Sequence, residues 1–160
     1  MRSITMGVTV GSNKQPYVFL PDPFLDMAIQ LNVVFRRPKP HMTFTSLQPT
    51  VGPGPVVVHT DSNNIGPSLM GGTGQYKNGE FAGACGDWIQ PCDLVIEFNG
   101  KTPHGAREAT SSQPNYPRST TVVFCHSGAS YSSIQDLLRP HALGFNLPGF
   151  LQDRVWSQLI

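Results

Sequence analysis

The chain is poor in charge. Only 13% of its 160 residues are Asp, Glu, Lys or Arg, about half the share of roughly 25% usual in a soluble domain. Lysine stands at four positions only, Lys14, Lys39, Lys77 and Lys101, and the formal net charge is +1. Disorder through self-repulsion needs low hydrophobicity together with high net charge, so a charged disordered tail is excluded. Nucleic acid is not an expected partner, because basic residues cluster only at Arg36-Arg37-Pro38-Lys39 and form no stripe that would track phosphates. Near-zero charge also gives weak repulsion between copies, which suits a surface covered by other subunits better than a free monomer.

Long apolar runs are missing as well. None exceeds about five residues against the ~20 that a membrane span needs, so no transmembrane segment is expected. Met1-Arg2-Ser3-Ile4-Thr5-Met6 lacks the apolar stretch of a secretory signal, and no Asn-x-Ser/Thr sequon occurs. Cysteine is confined to Cys85, Cys92 and Cys125, an odd count that argues against a full disulfide framework. A Cys85–Cys92 bridge, free thiols and a metal all stay open. No Gly-x-Ser-x-Gly elbow is present, and Gly71-Gly72-Thr73-Gly74 lacks the Gly-Lys-Ser/Thr ending of a phosphate loop. The acids Glu80, Asp87, Asp93, Glu97 and Glu108 form no readable catalytic pair.

Glycine and proline are plentiful. Sixteen glycines and 15 prolines make about 19% of the chain, short of the roughly 25–30% of low-complexity segments. Between them lie short β-branched and alternating runs that predict strands: Val8–Val10, Tyr17–Leu20, Val56–Thr60, Leu94–Phe98 and Thr120–Cys125. The stretch from Pro23 to Arg36 predicts a helical turn over 23–29 and a strand over 30–36, because Val33 and Val34 are β-branched. Residues 61–79 carry little hydrophobic pattern and are expected to be a long loop. Asn99-Gly100 is the strongest turn signal. Ser133 with Asp136 three residues on predicts a short capped helix ending at Pro140. Leu151, Val155 and Leu159 then form an apolar stripe on a last helix. The expected fold is mainly β: a single sandwich- or barrel-like domain over residues 1–130 with long Pro/Gly-rich loops. A helical C-terminal segment, 131–160, would pack on that domain or on a neighbouring subunit.

Two constellations carry candidate chemistry. Cys85, Cys92 and Cys125 are candidate thiolate ligands for zinc, with His126 or His104 as a fourth. Their Cys-x₆-Cys spacing departs from the Cys-x₂₋₄-Cys of strong zinc signatures. Gly83-Ala84-Cys85-Gly86-Asp87 places a thiol among glycines, and resembles the Gly-x-Cys-Gly nucleophile loop of chymotrypsin-like viral cysteine proteases. That resemblance implies a small hydrolase using Cys85, with His41 or His59 and Asp61 upstream, in a chain too short for two such barrels. The residues Asp93-Leu94-Val95-Ile96-Glu97-Phe98-Asn99-Gly100-Lys101-Thr102-Pro103-His104-Gly105-Ala106-Arg107 resemble the strand–turn–strand phrase of PAAR-like proteins. A Gly/Asp-rich stretch precedes it and Thr121-Val122-Val123 follows, so the resemblance covers roughly residues 70–125. It implies a small β cone capping the spike of an injection system or phage tail, often with a His/Cys metal site. Thr102 intrudes before the proline, and the first third of the chain has no counterpart.

Low charge, loop-rich composition and the apolar terminal stripe together predict a non-enzymatic structural subunit of a large particle, such as a virion, phage tail or injection system. It would act through contacts with other subunits or copies of itself.

Overall fold

The computed structural model describes residues 2–83, 88–91, 94–111 and 117–157. The chain is mainly β. Its strands are β1 (Arg2–Ser3), β2 (Met6–Val10), β3 (Pro16–Phe19), β4 (Ser46–Val51), β5 (Val56–His59), β6 (Asn64–Thr73), β7 (Tyr76–Asn78), β8 (Phe81–Ala82), β9 (Trp88–Ile89), β10 (Val95–Phe98), β11 (His104–Ala106), β12 (Ala109–Ser111) and β13 (Ser119–His126). The helices are α1 (Leu25–Arg36), α2 (Ile134–Ala142) and α3 (Gly149–Trp156). Every pair whose register is described is antiparallel. The described strands form open sheets and no closed barrel.

The chain divides into two compact units, Met1–Ile4 with Gln48–Val122, and Thr5–Leu47 with Val123–Ile160. In the second unit the strand order is β13-β4-β2-β3, with Val8 directly opposite Val18. Its core is large and apolar: Met6, Val8, Phe35, Phe44, Leu47, Val123, Leu137, Leu147, Leu151 and Val155 are all essentially inaccessible.

Helix α1 corrects the expected strand over 30–36. Ala28, Asn32 and Phe35 are the buried positions of α1, spaced as one helical face, while Val33 and Val34 stay exposed. Burial of Phe35 outweighs the modest helix penalty of two valines. Ser133 caps α2 as expected, its hydroxyl accepting from the Asp136 N–H at 3.1 Å. The helix does not stop at Pro140 but runs to Ala142 and ends at Gly144, whose φ of +86° allows the left-handed exit. Leu151 and Val155 of the predicted stripe face the core of their own unit; Leu159 lies outside the described residues.

The first unit is built differently. Its main sheet runs β10-β6-β13-β4-β1, and a second sheet runs β5-β11-β8-β9. The expected loop over 61–79 instead contains β6 and β7. The ladder β6–β10 pairs Leu69 with Glu97 and Met70 with Ile96, so a partner strand supplies the order that the Gly/Ser/Pro-rich sequence conceals. Among the described residues of this unit, buried apolar side chains are few: Leu69, Met70, Phe81 and Ala109. Buried polar ones rival them, among them Asn64, Ser68, His104 and Arg118. A unit with so small an apolar core is one that a bound group would stabilise.

Candidate metal centre

Strand pairing creates the site. In the β5–β11 ladder His104 stands directly opposite His59, so two imidazoles far apart in sequence become cross-strand neighbours, their ring centroids 4.5 Å apart. Gly105 permits this approach, because a Cβ there would meet the Val56 carbonyl oxygen at 2.8 Å. Asp61 follows two residues after His59. Its backbone N–H donates to the Gly100 carbonyl at 2.7 Å, which fixes the carboxylate beside the Asn99-Gly100 turn. That turn joins strands of different sheets, since β10 pairs with β6 whereas β11 pairs with β5 and β8. Asn99 closes it by accepting from the Lys101 and Thr102 N–H groups at 3.0 Å each.

The Asp61 carboxylate lies between the two rings. Oδ1 is 3.4 Å from His59 Nε2, and Oδ2 is 3.5 Å from His104 Nε2. Ligand-capable atoms of the three residues all lie within 4.8 Å of one another. Ligands held tetrahedrally at about 2.1 Å from zinc stand roughly 3.4 Å apart, close to the two carboxylate–imidazole distances.

The hydrogen bonds on the far side of each ring decide the chemistry. His59 Nδ1 is 2.8 Å from the Val57 carbonyl, and His104 Nδ1 is 2.8 Å from the Thr102 carbonyl. A carbonyl only accepts, so each Nδ1 carries the proton and donates. With a ring neutral, its Nε2 lone pair faces the carboxylate; with a ring protonated, its Nε2–H donates to it. Two lone pairs facing an anion repel unless a cation lies among them. Backbone carbonyls fixing the tautomer of metal-bound imidazoles are the usual outer support of such sites.

The electrostatics agree. The hydrogen bond to Asp61 raises the His104 pKa above the ordinary histidine value, against burial, which favours the neutral ring. The hydrogen bond from His104 in turn holds the Asp61 carboxyl below its usual range, with burial opposing. A proton fills the demand for positive charge in the metal-free chain. Asn64 Nδ2 donates to Asp61 Oδ2 at 3.1 Å and is 3.2 Å from Ser68 Oγ, orienting the carboxylate. His104 is packed against Phe98 and Phe81, with centroids 4.9 and 6.0 Å away. His104 is buried, whereas His59 is 45% exposed in its side chain, so the cluster opens to one side. It lines a cavity of about 190 Å³ together with Phe81, Phe98, Gly105 and Arg118. Two imidazoles and one carboxylate would bind a borderline divalent ion and leave positions for water or a ligand. An ion held so acts as a Lewis acid and lowers the pKa of bound water toward ~7.

Of the ligands expected from sequence, Cys125 and His126 stand outside this cluster. Cys125 is a free, buried thiol whose pKa burial pushes up, and it belongs to the second unit. His126 is buried, and its Nδ1 accepts from the Gly128 N–H at 2.9 Å. The neutral ring therefore carries its proton on Nε2 and has no lone pair to offer. Neither residue joins a metal-ligand cluster among the described residues. Cys85 and Cys92, with the hydrolase and bridge readings placed on them, lie outside the described residues. His104 alone carries over from the sequence-based ligand set. The available signal for the rest was His59-Thr60-Asp61, an imidazole and a carboxylate at alternate positions as a strand ends, which puts both on one face.

Among the described residues no helix is long and apolar enough to cross a membrane. No protein-family model matches the chain, and no curated protein sequence matches it.

Proposed function

We propose that this chain is a divalent-metal-binding protein, holding a first-row transition ion such as zinc among His59, Asp61 and His104. One observation carries the reading: both imidazoles have Nδ1 committed to a backbone carbonyl and turn Nε2 to the same carboxylate. The sparse apolar core of the first unit gives the ion a second use, because binding energy at such a site is also folding energy. The ion would stabilise the unit and present exchangeable positions to the cavity.

Equilibrium dialysis of the chelator-stripped chain against zinc tests this. About one ion per chain is expected, with retention lost in Asp61→Ala and kept in His41→Ala, whose residue is exposed and outside the cluster. Equal zinc content in both variants would reject the site.

A role as a structural subunit of a larger particle is a compatible second reading. It is favoured by exposed apolar residues in both units: Val57 and Val58 at 82% and 64%, and Tyr131 at 83%. This reading expects concentration-dependent mass in light scattering, and a monomer at every concentration would count against it. A PAAR-like spike tip joins the two readings. His104 falls within the resembling stretch, whereas His59 and Asp61 precede it.

A further inference from the structure

Arg118 also lines the cavity that holds the His/Asp cluster. It is only 2% exposed, and among the described residues no carboxylate forms an ion pair with it. Its NH1 donates to the Arg107 carbonyl at 3.0 Å and its NH2 to the Gly54 carbonyl. Those two bonds leave further N–H groups of the fork uncommitted. A guanidinium keeps its charge in any ordinary solution, so burial without a counter-charge is costly. Burial accordingly pulls the Arg118 pKa down from the usual arginine range.

The charge count of the cavity is informative. Among the described lining residues Asp61 is the only acid and Arg118 the only Lys or Arg. A divalent ion on neutral imidazoles adds two positive charges, so with Asp61 and Arg118 cancelling, the described lining of the loaded cavity carries a net charge of about +2 in surroundings that screen poorly. The remaining lining is apolar or uncharged, including Val56, Met70, Phe98 and Val122. At about 190 Å³ the space is smaller than the roughly 300–1,000 Å³ of pockets for drug-sized ligands. It suits a small group, or one end of a larger molecule.

We infer that the cavity binds an oxyanion, a phosphate or carboxylate group, with one oxygen on the metal and another on the guanidinium of Arg118. This rests on the metal reading above. A guanidinium N–H left over by the two carbonyl bonds donates to one oxygen of the anion, and the ion takes another. A free inorganic anion and an anionic group on a larger metabolite share this chemistry.

The test is a titration of inorganic phosphate into the cobalt(II)-loaded full chain, followed by the visible spectrum of the ion. Saturable spectral change is expected, weakened at least tenfold in Arg118→Met with cobalt stoichiometry unchanged. Because Arg118→Met removes a buried group and could unfold the unit, a second measurement uses the wild-type chain. In the zinc-loaded protein labelled with ¹⁵N, the slowly exchanging guanidinium Nε–H signal should shift with phosphate over the same concentration range. A phosphomonoester replacing phosphate separates the two sources: tighter binding of the ester points to a larger ligand, equal binding to the free anion, and both support the inference. Cobalt uptake without any response to phosphate overturns this inference alone. So does a spectral change that leaves the guanidinium signal unmoved. Absence of cobalt uptake overturns the metal reading and this inference together.

Discussion

Replacing Gly100 by alanine would perturb the site without touching a ligand. A Cβ at Gly100 would stand 2.8 Å from Asn64 Nδ2, 3.2 Å from Asp61 Oδ2 and 3.3 Å from Asp61 Cβ. Asn64 is 4% exposed and is held by both Asp61 and Ser68, so its amide has little room to swing. Relief of the contact needs a displacement of about half an ångström or more, and a metal-binding constellation tolerates about that much error in its ligands. The crowding should cost about 1–3 kcal/mol of stability, as overpacked sites do. Loss of the Asn64–Asp61 alignment should weaken metal binding by about 10–100-fold, the usual effect of disturbing outer-shell support. Competition against a chelator of known affinity measures the second quantity, and thermal melting of the metal-free chain the first. Lys101→Ala, one residue on and exposed in the same turn, should change neither. Wild-type metal affinity in a folded Gly100→Ala chain would refute the claim that this turn shapes the carboxylate.

Two further outcomes follow from the same geometry. In the metal-free chain the raised His104 pKa contributes stability that is full below roughly 6.5 and is lost as pH rises through the higher folded value; the lowered Asp61 pKa contributes above roughly 3.9 and is lost in acid. A bound ion replaces the proton, so the rise in melting temperature on adding zinc should grow from pH 5.5 to pH 8, and scanning fluorimetry giving an increment independent of pH would contradict it. Leu151, fully buried on α3, should cost about 2–5 kcal/mol on replacement by alanine, measured by urea denaturation, whereas a near-zero cost would mean that the helix does not belong to the core of its unit.

The sequence made legible what depends on neighbours in the chain. Val95–Phe98 is a strand, Asn99-Gly100 a turn, and Ser133 caps α2, because β-branching, turn chemistry and capping are local. Helix α1 was misread where local preference and tertiary burial disagree: Val33 and Val34 argue for a strand, yet Asn32 and Phe35 are buried on one helical face. Strand β6 was unreadable because Gly66, Pro67 and Ser68 mark a loop, while β10 pairs with residues 68–71 in a ladder. The site lay beyond reach for the same reason. His59 and Asp61 were visible as isolated groups, but only the register of β5 on β11 sets them against His104. The cysteines drew attention because thiolates are strong ligands wherever they occur; Cys125 is buried within β13 and joins no cluster of metal-ligating groups among the described residues.

X-ray absorption spectroscopy of the zinc-loaded chain tests the central claim most directly, because it reads the donor atoms themselves. The structure predicts a first shell of nitrogen and oxygen only, near about 2.0–2.1 Å, with the outer scattering of two imidazoles and no sulfur. Zinc–sulfur scattering near about 2.3 Å would return the metal to the cysteines and contradict a centre built from His59, Asp61 and His104.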